Sequence, residues 1–302
     1  MNRNLSVTIA DVTFKNPVGT ASGTFGSGRE FVDFIDLNNL GSVTVKGVSA
    51  EPWLGNPSPR AAETYGGMLN SVGLQNPGAY EFIKNDIPFL RQFDTKIIVN
   101  ICGHTVEEYA EVAKIINEAD IDMMELNISC PNVSQGGITF GTNTEMVEKV
   151  VGEVKKVITK PLIVKLSPNV TDIAEIAKSA ESAGADAISL INTLLGMRID
   201  IHKRKPVLAN KMGGLSGPAI KPVAVRMVYQ VRKAVQIPII GMGGISNWED
   251  AIEFIMAGAS MISVGTANFM NPMVTEEILS GIINYMDECH IKDIKDITGI
   301  IE

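Results

Sequence analysis

The chain has 302 residues, of which 45% are hydrophobic and 20% are charged, and its formal net charge at pH 7 is −8. This apolar content can bury a large core, and α/β barrels of this length often fold as one domain, so we expect a single domain over 1–302. The acidic balance argues against a nucleic-acid-binding protein, which normally carries a basic field. The sequence contains no apolar run of about 18 residues, so no membrane span is predicted. The first residues lack the apolar core of a signal peptide.

The alternation of short apolar runs with helical stretches predicts the fold. Residues 5–14 read as a small β-hairpin. Eight strands are then predicted at 17–21, 42–46, 96–101, 123–127, 162–166, 187–191, 237–241 and 261–264. Apolar spacing near 3.6 predicts helices at 106–119, 144–157, 171–183, 219–235 and 247–257. The pattern favours a single-domain (β/α)8 TIM barrel with an N-terminal hairpin and inserted active-site loops, and a doubly wound open sheet is the alternative.

Polar residues follow most of the predicted strands, at the end where barrel enzymes build their sites. The residues at these strand ends, which are polar apart from Ile191 and the glycines, are Ser22, Lys46, Gly47, Asn100, Asn127, Lys165, Ile191, Asn192, Thr193, Gly243, Gly244, Gly265 and Thr266. A capping or turn role is the alternative for any single asparagine or threonine among them. A lysine that ends a buried strand needs an anionic or carbonyl partner, so Lys46 and Lys165 favour a ligand site.

Glycine is concentrated after the last two strands, at Gly241, Gly243 and Gly244 and again at Gly265. Loops after strands seven and eight commonly bind phosphate through backbone N–H groups, and glycine lets the backbone approach the ligand. Ordinary tight turns are the alternative. A further stretch at 213–218, which contains Gly217, opens the helix after strand six and would add N–H donors.

Two long inserts interrupt the pattern, and we interpret both as loops. Residues 48–90 would cover the site. Arg60, which lies within this insert, forms either an ion pair with the substrate or a structural salt bridge. Residues 196–210 contain a basic segment at 202–205. This segment is either a solvated charged loop or a contact with a partner.

The three cysteines are Cys102, Cys130 and Cys289, and no C-x-x-C motif occurs, so neither a zinc site nor an iron–sulfur site is predicted and the metal expectation is none. The sparse, odd count is typical of a reducing compartment and indicates a cytoplasmic protein. Cys130 follows the strand 123–127, where a thiol would serve as nucleophile, metal ligand or proton acceptor. The alternative is that Cys130 is a packed cysteine without a chemical role.

Together these features suggest a phosphorylated cofactor, and flavin mononucleotide (FMN) fits. Its phosphate would lie at the Gly243 and Gly265 loops. Lys165 would stabilise negative charge on the reduced ring near N1, and Asn100 and Asn127 would hydrogen-bond ring or substrate amides.

Several motifs resemble the class 1 dihydroorotate dehydrogenases. They are 127–132 (NISCPN), 70–77 (NSVGLQNP), 164–168 (VKLSP), 191–193 (INT) and 241–245 (GMGGI). The resemblance runs from about residue 7 to residue 269. Within class 1, residues 194–198 (LLGMR) and 214–222 (GLSGPAIKP) resemble the NAD-linked subtype 1B. That subtype pairs a catalytic subunit with a separate iron–sulfur flavoprotein.

The resemblance implies oxidation of (S)-dihydroorotate to orotate in pyrimidine biosynthesis, with Cys130 as the general base at C5 and hydride transfer from C6 to FMN. By the family pattern, dihydroorotate would be held by Lys46, Asn70, Ser71, Val72, Gly73, Leu74, Asn127, Asn192 and Thr193. FMN would be held by Ser22, Lys46, Gly47, Asn100, Asn127, Lys165, Ile191, Gly217, Gly243, Gly244, Gly265 and Thr266. FAD and a 2Fe-2S cluster are expected only on the partner subunit, which passes electrons to NAD+. The implied assembly is a homodimer core within a heterotetramer.

Three other functions stay open at this point. A class 1A enzyme would be a homodimer that passes electrons to fumarate. A dihydropyrimidine dehydrogenase module would share the S-C-P loop but act on dihydrouracil. In another reaction class, a lyase barrel would form a Schiff base on Lys165 or Lys46 and would be colourless. A binding or scaffold protein fits least, because polar residues gather at so many strand ends.

Overall fold

The computed structural model describes residues 3–128 and 140–302, so Cys130 and the rest of its predicted loop lie outside the described residues. The strands are β1 (Val7–Ile9), β2 (Val12–Phe14), β3 (Val18–Thr20), β4 (Ser42–Thr44), β5 (Ala61–Thr64), β6 (Gly67–Asn70), β7 (Lys96–Ile101), β8 (Met123–Asn127), β9 (Leu162–Lys165), β10 (Ala187–Leu190), β11 (Leu194–Met197), β12 (Ile199–Asp200), β13 (Lys205–Pro206), β14 (Met212–Ser216), β15 (Ile239–Gly241) and β16 (Met261–Val264). The α-helices are α1 (Ala79–Leu90), α2 (Val106–Asn117), α3 (Thr144–Lys155), α4 (Ile173–Ser182), α5 (Lys221–Ala234), α6 (Trp248–Ala257), α7 (Ala267–Met270) and α8 (Val274–Glu288).

Eight parallel strands close into a barrel in the order β3-β4-β7-β8-β9-β10-β15-β16, and β16 pairs with β3 through Ile262 and Val18. The closure confirms the predicted (β/α)8 barrel and excludes the open sheet. All eight predicted barrel strands are present, and their ends agree with the prediction to within two residues. They were recognisable because strands buried on both faces read as continuous apolar runs.

Helices surround the barrel, and polar side chains cap the first turns of α4 and α6. Asp172 begins α4 by accepting hydrogen bonds from the backbone N–H groups of Ala174 and Glu175. Asn247 begins α6 by accepting one from Asp250, and Gly258 ends that helix at φ 125°. Each cap satisfies backbone groups that a helix end leaves unpaired, which fixes where the following strand starts.

The two inserts are not loops, and that prediction was wrong. Residues 48–90 contain β5, β6 and α1, and the segment around 196–210 contains β12, β13 and much of β11. β5 and β6 of the first insert pair with β14 and β11, which lie at the two ends of the second insert, in one antiparallel sheet of the order β11-β14-β6-β5, in which Gly214 lies opposite Asn70. The local pattern does not reveal this sheet, because the pairing partners are 144 residues apart in the chain.

The predicted N-terminal hairpin is confirmed as the antiparallel pair β1–β2, and it buries Ile9 and Phe14 in the core. The core itself lies between the barrel wall and the helices, so the strand ends are held at fixed positions. Among the residues that the structure describes, no helix is long and apolar enough to cross a membrane.

Candidate active site

A cavity of about 300 Å³ opens at the C-terminal ends of the barrel strands. This volume is at the lower end of the range for ligand pockets. All twelve residues predicted to hold the flavin line this cavity. The residues predicted to hold the substrate line it as well, except Ser71. The structure therefore brings together side chains and loops from most of the barrel strand ends around one space.

Lys165, at the end of β9, places a buried ammonium group at the base of the cavity. Its side chain is only 4% exposed. The Nζ atom lies 3.0 Å from Ser22 Oγ and 3.4 Å from Glu125 Oε1. A buried charge is tolerated only when it is paired and hydrogen-bonded. Ser22 and Glu125 thus hold the Lys165 ammonium in place, and Lys165 lines the cavity where a ligand would bind.

Three asparagines, from the ends of β7 and β8 and the turn after β10, form a row of amides. Asn100 Nδ2 donates to Glu125 Oε1 at 2.5 Å, and Asn127 Nδ2 donates to Asn100 Oδ1 at 3.4 Å. Asn192 Nδ2 in turn lies 3.5 Å from Asn127 Oδ1. All three line the cavity. Amides in this arrangement present both donors and acceptors to a planar ligand that carries its own amide groups.

Lys46 and Gly47 follow β4, the barrel strand that pairs with β7, and both line the cavity. A Cβ built on Gly23 would lie 3.7 Å from Lys46 Nζ, so this second ammonium lies beside the Gly23 turn. A Cβ built on Gly47 would lie 2.8 Å from Asn100 Oδ1. Glycine at 47 therefore leaves room for the Asn100 amide.

The glycine loops after β15 and β16 meet the turn at Gly217. Gly244 has φ 83°, and a Cβ there would lie 2.8 Å from the carbonyl oxygen of Gly217. Thr266 Oγ1 and Ser216 Oγ are 2.8 Å apart, which connects the same two regions. Closely packed glycine backbone of this kind can bind phosphate through its N–H groups.

The sheet of the two inserts forms one wall of the cavity. Asn70 ends β6, and its Nδ2 lies 3.5 Å from the carbonyl oxygen of Gly214. Val72, Gly73 and Leu74 continue the wall, whereas Ser71 is fully buried and its backbone N–H donates to the carbonyl of Arg60. Ser71 does not line the cavity, and its Oγ is buried with no hydrogen-bond partner among the described residues. Its substrate role stays a prediction.

Arg60 and the basic segment 202–205 lie apart from the lining residues. The Arg60 guanidinium donates to Gln75 Oε1 at 2.5 Å and is 3.5 Å from the carbonyl of Asn56, so it connects parts of the insert. Residues 202–205 are exposed at the β12–β13 hairpin.

Glu125 is a buried residue beside the site that the sequence did not predict. Its carboxylate is 3% exposed and contacts Asn100, Lys165 and Ser189 inside the barrel. The available signal was a single acid in the middle of the apolar strand 123–127. Ser216, Met242 and Phe269 also line the cavity and were not predicted.

A closed parallel barrel with a buried lysine, an amide row and packed glycines around one cavity at its strand ends has the architecture of a (β/α)8-barrel enzyme. Comparison with known proteins gives the family. Residues 4–286 match the family model described as dihydroorotate dehydrogenase, and the chain belongs to that family.

Three similar curated proteins bear the name "Dihydroorotate dehydrogenase B (NAD(+)), catalytic subunit". The chain is 69% identical to that of Alkaliphilus oremlandii (strain OhILAs), over 98% of each chain. It is 68% identical to that of Alkaliphilus metalliredigens (strain QYMF), again over 98% of each. It is 61% identical to that of Lachnoclostridium phytofermentans, over 99% of this chain and 100% of that protein. The family implies a flavin cofactor, and the shared name implies a partner subunit.

Proposed function

We propose that the chain is the catalytic subunit of an NAD-linked, class 1B dihydroorotate dehydrogenase. It oxidises (S)-dihydroorotate to orotate in pyrimidine biosynthesis and acts as one FMN-binding domain over 1–302. The observation that carries this proposal is the shared cavity, where a buried lysine, three amides and a glycine cradle meet in a chain of this family. The subtype is supported by the names of the similar proteins.

The donor set fits FMN. The phosphate group suits the packed glycines Gly217, Gly244 and Gly265, which present backbone rather than side chains to the cavity. Lys165 lies at the buried base, where a positive charge favours the extra electron density of a reduced flavin ring. When bound, FMN supplies the hydride acceptor for C6 of dihydroorotate.

The chain's own residues supply binding and proton transfer. Lys46 and the amides of Asn70, Asn127 and Asn192 suit the carboxylate and ring amides of dihydroorotate. Cys130 removes the proton from C5. Because a free thiol has a pKa of about 8.5, turnover in this scheme rises with pH as the thiolate forms.

The partner subunit is proposed to carry FAD and a 2Fe-2S cluster and to deliver electrons to NAD+, in a heterotetramer built on a homodimer of this chain. The place of action is the cytoplasm.

The first experiment is a visible spectrum of the purified chain, followed by addition of dihydroorotate without oxygen. We expect a flavin spectrum that bleaches. Dihydrouracil serves as the matched substrate control, since it lacks the carboxylate. A flavin that stays oxidised with dihydroorotate but bleaches with dihydrouracil contradicts the substrate. A colourless chain that cannot be reconstituted with FMN contradicts the cofactor and favours the Schiff-base alternative.

A further inference from the structure

Glu125 is a buried acid inside the barrel, and it has no role in the proposed reaction. It lies on β8, and its three partners come from β7, β9 and β10. Oε1 accepts from Asn100 Nδ2 at 2.5 Å and lies 3.4 Å from Lys165 Nζ, and Oε2 accepts from Ser189 Oγ at 3.0 Å. Glu125 does not line the cavity, whereas Asn100 and Lys165 do. Glu125 therefore acts on a ligand without lining its site, through those two residues and through the field of its charge.

The first effect is on charge. Side-chain exposure is 3% for Glu125 and 4% for Lys165, so both charges are removed from water. Each needs the other, because breaking a buried pair leaves an uncompensated charge. The carboxylate therefore holds the ammonium in place and offsets part of the positive potential that Lys165 projects into the cavity.

The second effect is on the direction of the amide row. A carboxylate only accepts hydrogen bonds, so Asn100 must turn Nδ2 toward Glu125 and Oδ1 toward Asn127. Asn127 then turns Nδ2 toward Asn100 and Oδ1 toward Asn192. Asn192 Oδ1 finally accepts from the backbone N–H of Thr193 at 2.8 Å. One buried acid thus sets which amide ends are donors along the row.

We propose that Glu125 is a positioning residue. It fixes the Lys165 ammonium and the donor direction of the asparagine row, and it thereby lowers the preference of the site for reduced over oxidised FMN. The inference rests on the proposed function, because it concerns the flavin of that same site. It adds a determinant of the redox balance that lies behind the lining residues.

The test is Glu125→Gln. Glutamine keeps the shape, an oxygen that accepts from Asn100 and Lys165, and an NH2 group that can donate to Ser189 Oγ. Mainly the charge is lost. We measure the Kd of oxidised and of reduced FMN anaerobically and expect the ratio to shift about tenfold toward reduced FMN, the scale of one charge removed from a partly screened buried site. A tenfold change corresponds to about 30 mV for a two-electron couple.

The matched control is Asp186→Asn. Asp186 immediately precedes β10, so it lies at the opposite end of the barrel strands, and its Oδ2 pairs with Lys155 Nζ at 2.7 Å. This variant makes the same carboxylate-to-amide change, also breaks a lysine pair, and should leave the ratio unchanged. A merely structural role of Glu125 would weaken both forms of FMN equally and would not move the ratio.

The inference is overturned if the ratio of the two Kd values is unchanged or reversed in Glu125→Gln. The proposed function stays intact in that case, provided that dihydroorotate bleaches the flavin of the wild-type chain. A wild-type chain that binds no flavin overturns both. Should Glu125→Gln fail to fold, Glu125→Gln combined with Lys165→Met is examined. Recovery of folding in that double variant supports the pairing, and failure of the double variant assigns Glu125 a structural role and overturns the inference.

Discussion

Gly47→Ala provides a steric test of the site because it adds a single methyl group beside the amide row. The new Cβ would lie 2.8 Å from Asn100 Oδ1 and 3.3 Å from Leu74 Cδ2. Both distances are shorter than normal carbon contacts of about 3.5–4.0 Å. The side chain of Asn100 cannot simply rotate away, because the residue is fully buried and its Nδ2 is held by Glu125 at 2.5 Å. The alanine must therefore displace the amide that faces the ligand.

The magnitude follows from two terms. Forcing an extra methyl group into a packed interior costs about 1–3 kcal/mol of the free energy of unfolding. Loss of one ligand hydrogen bond from the displaced amide costs about 0.5–1.5 kcal/mol, which is roughly a 2- to 13-fold increase in the Kd of FMN. For a domain of this size, 1 kcal/mol corresponds to roughly 2 °C in Tm, so we expect Tm to fall by about 2–6 °C.

The assays are thermal unfolding of the flavin-free chain and titration with FMN followed by quenching of flavin fluorescence. Gly152→Ala is the control. Gly152 lies within α3, and a Cβ there would meet no atom within 4 Å. The same chemical change should raise the stability by about 1 kcal/mol, because alanine is the better helix former, and it should leave the Kd unchanged. A Gly47→Ala chain with wild-type Tm and wild-type Kd would refute the steric reasoning.

Three further changes test the site and its support. Cys130→Ala should keep FMN but lower turnover with dihydroorotate by about 10²–10⁴-fold, the usual cost of losing a general base; wild-type turnover would rule out the base assignment. Tyr109→Phe removes the hydroxyl that donates to the Asn127 carbonyl at 2.7 Å, so unfolding in urea should show a loss of about 1 kcal/mol, and no loss would mean that this bond does not hold the end of β8. Asp250 raises the pKa of Lys221 through a hydrogen bond of 2.6 Å. The pair therefore stabilises the folded chain at any pH below the ordinary lysine pKa. That stabilisation is lost as the pH rises through the higher pKa of the folded state. Asp250→Asn should therefore cost about 1–2 kcal/mol at pH 8 and less at pH 12, and an equal cost at both pH values would contradict the pairing.

The amino-acid sequence determined the barrel and most of the site. Buried parallel strands read as apolar runs such as 162–166, and helices carry their caps in nearby residues such as Asp172. These signals are local, so the sequence displays them directly. Because parallel strands end at one mouth of a barrel, the polar residues after those runs could be grouped before any coordinates were known. Lys165, Asn100 and Gly244 were found in this way.

Only the tertiary structure decided the features that depend on distant partners. The pairing of Asn70 with Gly214 joins strands of the first insert to β14 in one sheet, and the backbone N–H of Ser71 donates to the carbonyl of Arg60 within that insert. The part played by Glu125 was decided in the same way, because a strand sequence does not say which side chains meet inside a closed barrel. Its three partners lie between 25 and 64 residues away in the chain. Such contacts exist only after barrel closure has brought the strands together, and no local pattern encodes them.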